Sequence, residues 1–232
     1  MKNSIFACLN PIEKFWQLGC LPPAHGTFVL IGWRVYPTPV DAGMPETVGE
    51  VLARVMTSAA NAVFLSSDVK GGVPNEWRIV GEDAVCVLKE PNPLKSFLNS
   101  LSSRKSDLVL LSTREPDKVI RLFDDGTYPW WLQGQIVLLS EPKQIMPEID
   151  RQSLLSLFED DWMQQALYLQ STGIQCVVRP GVDGDVAGFL FLTDAFRNRF
   201  LKTLEDESRA DGFEWSLLPE TDFVSSIAVQ QM

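Results

Sequence analysis

Two periodicities alternate along this chain. Residues 45–60 place Val48, Val51, Leu52, Val55, Met56, Ala59 and Ala60 at helical spacing behind Pro45. That stripe predicts an amphipathic helix. On either side the pattern is strand-like. Residues 27–36 (TFVLIGWRVY) are β-branched and aromatic and stop at Pro37 and Pro39, and residues 62–66 read AVFLS. A Gly71-Gly72 turn leads to residues 77–80 (WRIV). Gly81-Glu82-Asp83 then turns the chain into residues 84–88 (AVCVL). Asn92-Pro93 opens a second helix faced by Leu94, Phe97, Leu98 and Leu101, and residues 108–112 (LVLLS) form another strand. The order is β-α-β-β-α-β.

The same order returns after an interruption. Residues 135–140 (QIVLLS) predict a strand, and residues 147–170 a long helix capped by Asp150 and ended at Gly173. Its stripe is Leu155, Phe158, Trp162, Ala166 and Leu169. Residues 174–179 (IQCVVR) and 188–192 (GFLFL) flank a glycine- and aspartate-rich turn at 181–185. Thr193 or Asp194 caps a helix with Phe196, Phe200, Leu201 and Leu204 inward, stopped by Gly212. Residues 213–218 (FEWSLL) are the last clear strand. Residues 220–232 read as a polar tail with a possible short strand at 223–229.

This repeated pattern predicts an α+β protein of two tandem βαββαβ, ferredoxin-like units. Each unit is expected to be an antiparallel sheet with helices on one face. The boundaries are 1–113 for an N-terminal unit, 114–134 for a connecting segment with an aromatic loop, and 135–232 for an acidic C-terminal unit. The halves share a pattern of elements without residue identity. The competing arrangement is one α+β domain with all strands in a single sheet. Within the connecting segment, Val119 to Phe123 reads as a strand running into Asp124-Asp125-Gly126, against a short helix begun by Glu115-Pro116-Asp117. Residues 11–19 predict a short helix from Pro11 to Gly19.

Charge changes the picture more than composition does. The chain has 232 residues, 45% of them hydrophobic, and a net charge of −10. Residues 1–113 carry 10 basic and 10 acidic residues, whereas residues 114–232 carry 10 basic and 20 acidic. The whole surplus, 20 minus 10, therefore lies in the second part. Phosphate contacts require Lys and Arg, so direct nucleic-acid binding is disfavoured. An acidic surface attracts basic proteins instead. No apolar run is long enough to span a membrane, and the first residues make a poor signal peptide. The expected location is the cytoplasm. Cys8, Cys20, Cys86 and Cys176 lack paired metal-ligand spacing and sit in or beside apolar runs. They read as small buried hydrophobes, although a Cys8–Cys20 bridge is open to the sequence.

Candidate chemistry is sparse. His25 is the single histidine, which excludes a two- or three-histidine metal site. Asp183 and Asp185 have the spacing of hard-cation ligands, but also the composition of a tight turn. No phosphate-loop, dinucleotide, zinc or serine-hydrolase motif is present. Two features suit a partner surface. One is acidic: Glu159, Asp160 and Asp161, followed by Glu205, Asp206, Glu207 and Asp211. The other is aromatic: Tyr128, Trp130 and Trp131 beside two aspartates, a residue class that recurs at binding hot spots. The expectation is a cytosolic, non-enzymatic module without cofactor or metal. Its acidic C-terminal half would engage a basic protein, as an immunity or inhibitor protein engages a toxin. The alternatives are an enzyme with a cleft between the halves, using His25, Asp183/Asp185 and Arg34 or Arg179, and a structural subunit joined through sheet edges.

Overall fold

A computed structural model describes residues 2–11, 26–36, 45–66, 85–88, 92, 94, 108–123, 135–141, 143, 149–157, 162–180 and 186–228. In chain order the elements are β1 (Ser4–Leu9), β2 (Thr27–Arg34), α1 (Glu46–Ala59), β3 (Asn61–Ser66), β4 (Val85–Leu88), β5 (Leu108–Thr113), α2 (Pro116–Phe123) and β6 (Gln135–Ser140). There follow α3 (Arg151–Ser156), α4 (Trp162–Ala166), a 3-10 turn (Leu167–Thr172), β7 (Ile174–Pro180), β8 (Val186–Phe191), α5 (Asp194–Ala210), β9 (Glu214–Leu217) and α6 (Glu220–Ala228). The class is mixed α and β, as the alternating pattern predicts.

The strands form one sheet, in the order β4-β5-β3-β6-β7-β8-β2-β1-β9. Two separate sheets were the expectation, and the pairing of β3 with β6 overturns it. That ladder runs from Asn61↔Ser140 to Ser66↔Gln135 and fuses the two halves through their backbones. The halves also interleave, because β1 and β2 sit between β8 and β9. Every ladder is antiparallel except β1 with β9.

Helices cover both faces of the sheet, not one. Alternate residues of each strand point to opposite sides. On the first side Ile5, Ala7, Val29, Ile31, Trp33, Phe189 and Phe191 meet α1, α2 and α5 through Val51, Val55, Val119, Phe196 and Phe200. On the second side Phe6, Leu30, Leu138, Val177 and Leu190 meet α3, α4 and α6 through Leu154, Met163, Ala166 and Phe223. With both sides covered, β2 and β8 are buried almost end to end. This is why those strands read as continuous apolar runs instead of alternating ones.

Strand order makes α1 a long crossover. Four antiparallel steps separate β2 from β3, so the two run parallel with β8, β7 and β6 between them. The chain must move sideways by about 19 Å there, at about 4.8 Å per strand. The 14 residues of α1 make a rod of about 21 Å, enough to bridge that distance. Val48, Val51, Leu52, Val55 and Met56 are fully buried beneath it.

Several local readings change. Residues 116–123 are helix and not strand, begun at Pro116 with Asp117 in the first turn. The long helix expected over 147–170 is shorter pieces, with α3 ending by Leu157 and a 3-10 turn at its far end. Its predicted ends hold. Asp150 accepts from the Ser153 amide at 2.9 Å, and Gly173 adopts φ 86° as the C-cap. Residues 4–9, considered in the sequence only as a poor signal peptide, form β1 and pair with Val29–Arg34 of β2. The supposed tail is α6, begun after Pro219 with Glu220 and Asp222 in its first turn. The expected helix at 11–19, the strand at 77–80 and most of the helix after Asn92 lie outside the described residues.

Gly32 is what lets α6 dock. Phe6 and Phe223 meet edge to face at a centroid distance of 5.2 Å. A methyl group on Gly32 would stand 2.8 Å from Phe6 Cε2 and 3.2 Å from Phe223 Cζ. We expect Gly32→Ala to destabilise the protein by about 1–3 kcal/mol through overpacking, read as a lower urea midpoint at unchanged m. In a Phe223→Ala background the added cost should shrink, because one of the clashing rings is gone.

Candidate functional site

Glu205 and Asp206, named from the sequence as partner-binding residues, lie on α5. They do not stand as bare anions. Lys202 Nζ is 2.7 Å from Asp206 Oδ1 and 3.8 Å from Glu205 Oε2, and an Arg209 nitrogen is 2.7 Å from Glu205 Oε1. These i,i+3 and i,i+4 pairs follow directly from helical spacing. The hydrogen bond to Asp206 pushes the Lys202 ammonium above its ordinary range.

One turn on, Glu207 and Asp211 face the other way. Carboxylates late in a helix oppose its dipole, and here the compensation comes from another element. Arg54 of α1 donates from Nε to Glu207 at 2.8 Å and from a terminal nitrogen to Asp211. This clamp ties the crossover helix to α5. Sequence reasoning missed Arg54, since nothing in the chain order places residue 54 beside residues 207 and 211.

The other named residues divide sharply. Glu159, Asp160, Asp161, Tyr128, Trp130, Trp131, His25, Asp183 and Asp185 lie outside the described residues. Arg34 ends β2 and Arg179 lies in β7. Arg179 and Leu30 both pair with Gly188, so Arg179 stands two strands away and four residues back from Arg34. That is about 17 Å, too far for a shared site. Among the described residues, no three His, Cys, Asp or Glu side chains gather as a metal site would require. No helix of the described residues is long and apolar enough to cross a membrane.

The described residues do form a cleft, at the β9 edge of the sheet. Its volume is about 530 Å³, within the usual range for small-molecule sites. The floor comes from Ser4 and Phe6 of β1 and Arg34 of β2, with Glu214, Trp215 and Ser216 of β9 along one wall. Ser226 of α6 and Arg209 at the end of α5 complete it. Arg34 is part-buried. One terminal nitrogen donates to the Ser226 carbonyl, while its buried Nε meets no acceptor among the described residues. The neighbouring charges are already matched: Glu214 with Lys2 at 2.8 Å, and Arg209 with Glu205. Arg34 was named from the sequence only as a neighbour of other groups. Its signal was a lone cation closing an otherwise apolar strand.

No family model, curated protein or solved structure matches the chain.

The described thiols are inert by burial. Cys8 is free, while Cys20, its partner in the bridge open to the sequence, lies outside the described residues, and the Cys8 thiol is pushed up to about 11 by burial and then by the Glu220 charge. Cys176 is driven well above its ordinary range by burial alone. Both should resist a thiol reagent at pH 8 in the native protein and react once urea unfolds it, as peptide mapping of the label would show. A raised thiol pKa stabilises the folded state only below the unfolded value of about 8.5. Stability should therefore fall as pH rises from there through about 11, and a Cys8→Ala variant should lose part of that slope.

Proposed function

We propose that this chain is a protein-binding module that engages a basic partner through the acidic surface of its C-terminal half, as an immunity or inhibitor protein masks a toxin. The observation that carries the reading is charge. All ten surplus acids fall within residues 114–232. Interleaving of the halves means that this acid acts as the field of one body and not of a detachable module.

On α5 the ion pairs moderate that field without removing it. Asp206 is well exposed, and its partner Lys202 is more so. Exposed pairs of this kind are weak, because water and salt screen them. An incoming Lys or Arg can displace Lys202 at small cost and leave it free in water. The carboxylates thus serve as contacts after the long-range field has drawn the partner in. Glu159, Asp160 and Asp161 belong to the same proposed surface. Tyr128, Trp130 and Trp131 are proposed as its apolar anchors.

The test is a pull-down from the native host with immobilised protein at low and high ionic strength, followed by kinetics with the captured partner. We expect a basic protein retained at roughly 50 mM salt and released at roughly 500 mM. Asp206→Lys and Glu159→Lys should each slow association several-fold while changing dissociation little. Binding that ignores both salt and charge reversal would sink the proposal.

A further inference from the structure

We infer that the cleft between β9 and α6 is a binding site for a small organic monocarboxylate with an aromatic or apolar body. It stands independently of the partner proposed above. Arg34 supplies the reason. A guanidinium is charged at every physiological pH and offers five donors. Among the described residues Arg34 has no carboxylate partner, and the Ser226 carbonyl is the acceptor it meets. That carbonyl lies near the C-terminal end of α6, where the helix carries only about half a negative charge. The buried Nε meets no acceptor among the described residues. Leaving a buried donor unmatched is unfavourable. A visiting anion would restore the charge balance that the protein's own groups leave open.

The surroundings narrow the anion. Of the other charged residues lining the cleft, Glu214 is matched by Lys2 and Arg209 by Glu205, so the cleft holds one net positive charge in a chain of net charge −10. A phosphate dianion would overcharge a single guanidinium in a negative field. A carboxylate matches it one to one and fits the planar fork. On the α6 side of the sheet Phe6 and Leu218 give the cleft an apolar surface that suits a ring or hydrocarbon body, while Phe213 and Trp215 reach it along β9 with their side chains packed in the core of the opposite face. Ser4 and Ser216 add hydroxyls that can accept or donate. The volume of about 530 Å³ accommodates a molecule of one or two rings.

The experiment titrates the whole protein with phenylacetate, indole-3-acetate, phenylacetamide and inorganic phosphate, followed by two-dimensional NMR. The expected result is saturable binding of at least one aromatic carboxylate at or below roughly 1 mM. Phenylacetamide should bind at least about tenfold more weakly, and phosphate should cause no saturable shift. Arg34→Gln should weaken carboxylate binding at least about tenfold. Should that variant lose α6 docking and misfold, Ser216→Trp fills the cleft without touching Arg34 and should abolish binding while the circular dichroism stays native. The inference is overturned by equal affinity for the acid and its amide, by saturable binding of phosphate alone, by no saturable binding of either aromatic acid to about 10 mM, or by native-like binding in Ser216→Trp.

Discussion

The two-sided burial of a single sheet is the constraint on which this structure depends. A sheet covered on one face shows alternating apolar and polar residues. One covered on both must be apolar throughout and must find helices for each side. The chain meets that demand with α1, α2 and α5 on one face and α3, α4 and α6 on the other. The demand also explains the crossover. A helix connecting β2 to β3 has to lie over β8, β7 and β6, and in doing so it closes the first face over the middle of the sheet. The Arg54 clamp to Glu207 and Asp211 then locks the two largest helices of that face side by side. Among the described residues the outermost strands, β4 and β9, are only four residues long, which limits strand pairing with other chains.

Much of the element pattern was legible, because local signals decide it. The stripe from Val48 to Ala59 specified α1, and Asp150, Thr193, Gly173 and Gly212 marked helix ends by cap chemistry that acts within one turn. What failed was pairing. Which strands become neighbours depends on contacts across 50 to 200 residues, and hydrophobic periodicity carries no record of them. Even so, one clue to the single sheet was present. GFLFL and VLIGW have no polar alternation, which is inconsistent with helices on one face only. Residues 220–228 were misread because their helix offers few apolar positions, with Phe223 as its one fully buried anchor among the described side chains. The Phe223 pocket exists only because Gly32 leaves room for it, far away in sequence.

Charge shows the same gap between linear order and space. A boundary at residue 113 separates a neutral segment from an acidic one, but the fold threads β1 and β2 between β8 and β9. The described acids then belong to one body, and on α5 they alternate with Lys202 and Arg209. Pairing lowers the local potential at each carboxylate, yet net charge is conserved under pairing, so the surplus still sets the field around the body, damped over a Debye length of about 8 Å. Steering and contact are therefore separable properties of this surface. The first follows from composition, and the second from which carboxylates can exchange a side-chain cation for an incoming one.

The β9 edge joins these arguments. α6 is the last element in the chain order of the described fold, and it is held by Phe223 against Phe6, by the Arg34 bond to Ser226 and by its own first turn after Pro219. An element with few buried anchors opens more readily than α1 or α5 does. Arg34 faces both tasks at once, holding the end of α6 and presenting an uncompensated charge to the cleft. An anion in the cleft would lower the electrostatic cost of the buried guanidinium in the docked state and would not act on the undocked one. By linkage it must then stabilise the docked helix. The stability of this edge and the occupancy of the cleft are therefore one equilibrium, set by a cation that no carboxylate among the described residues neutralises.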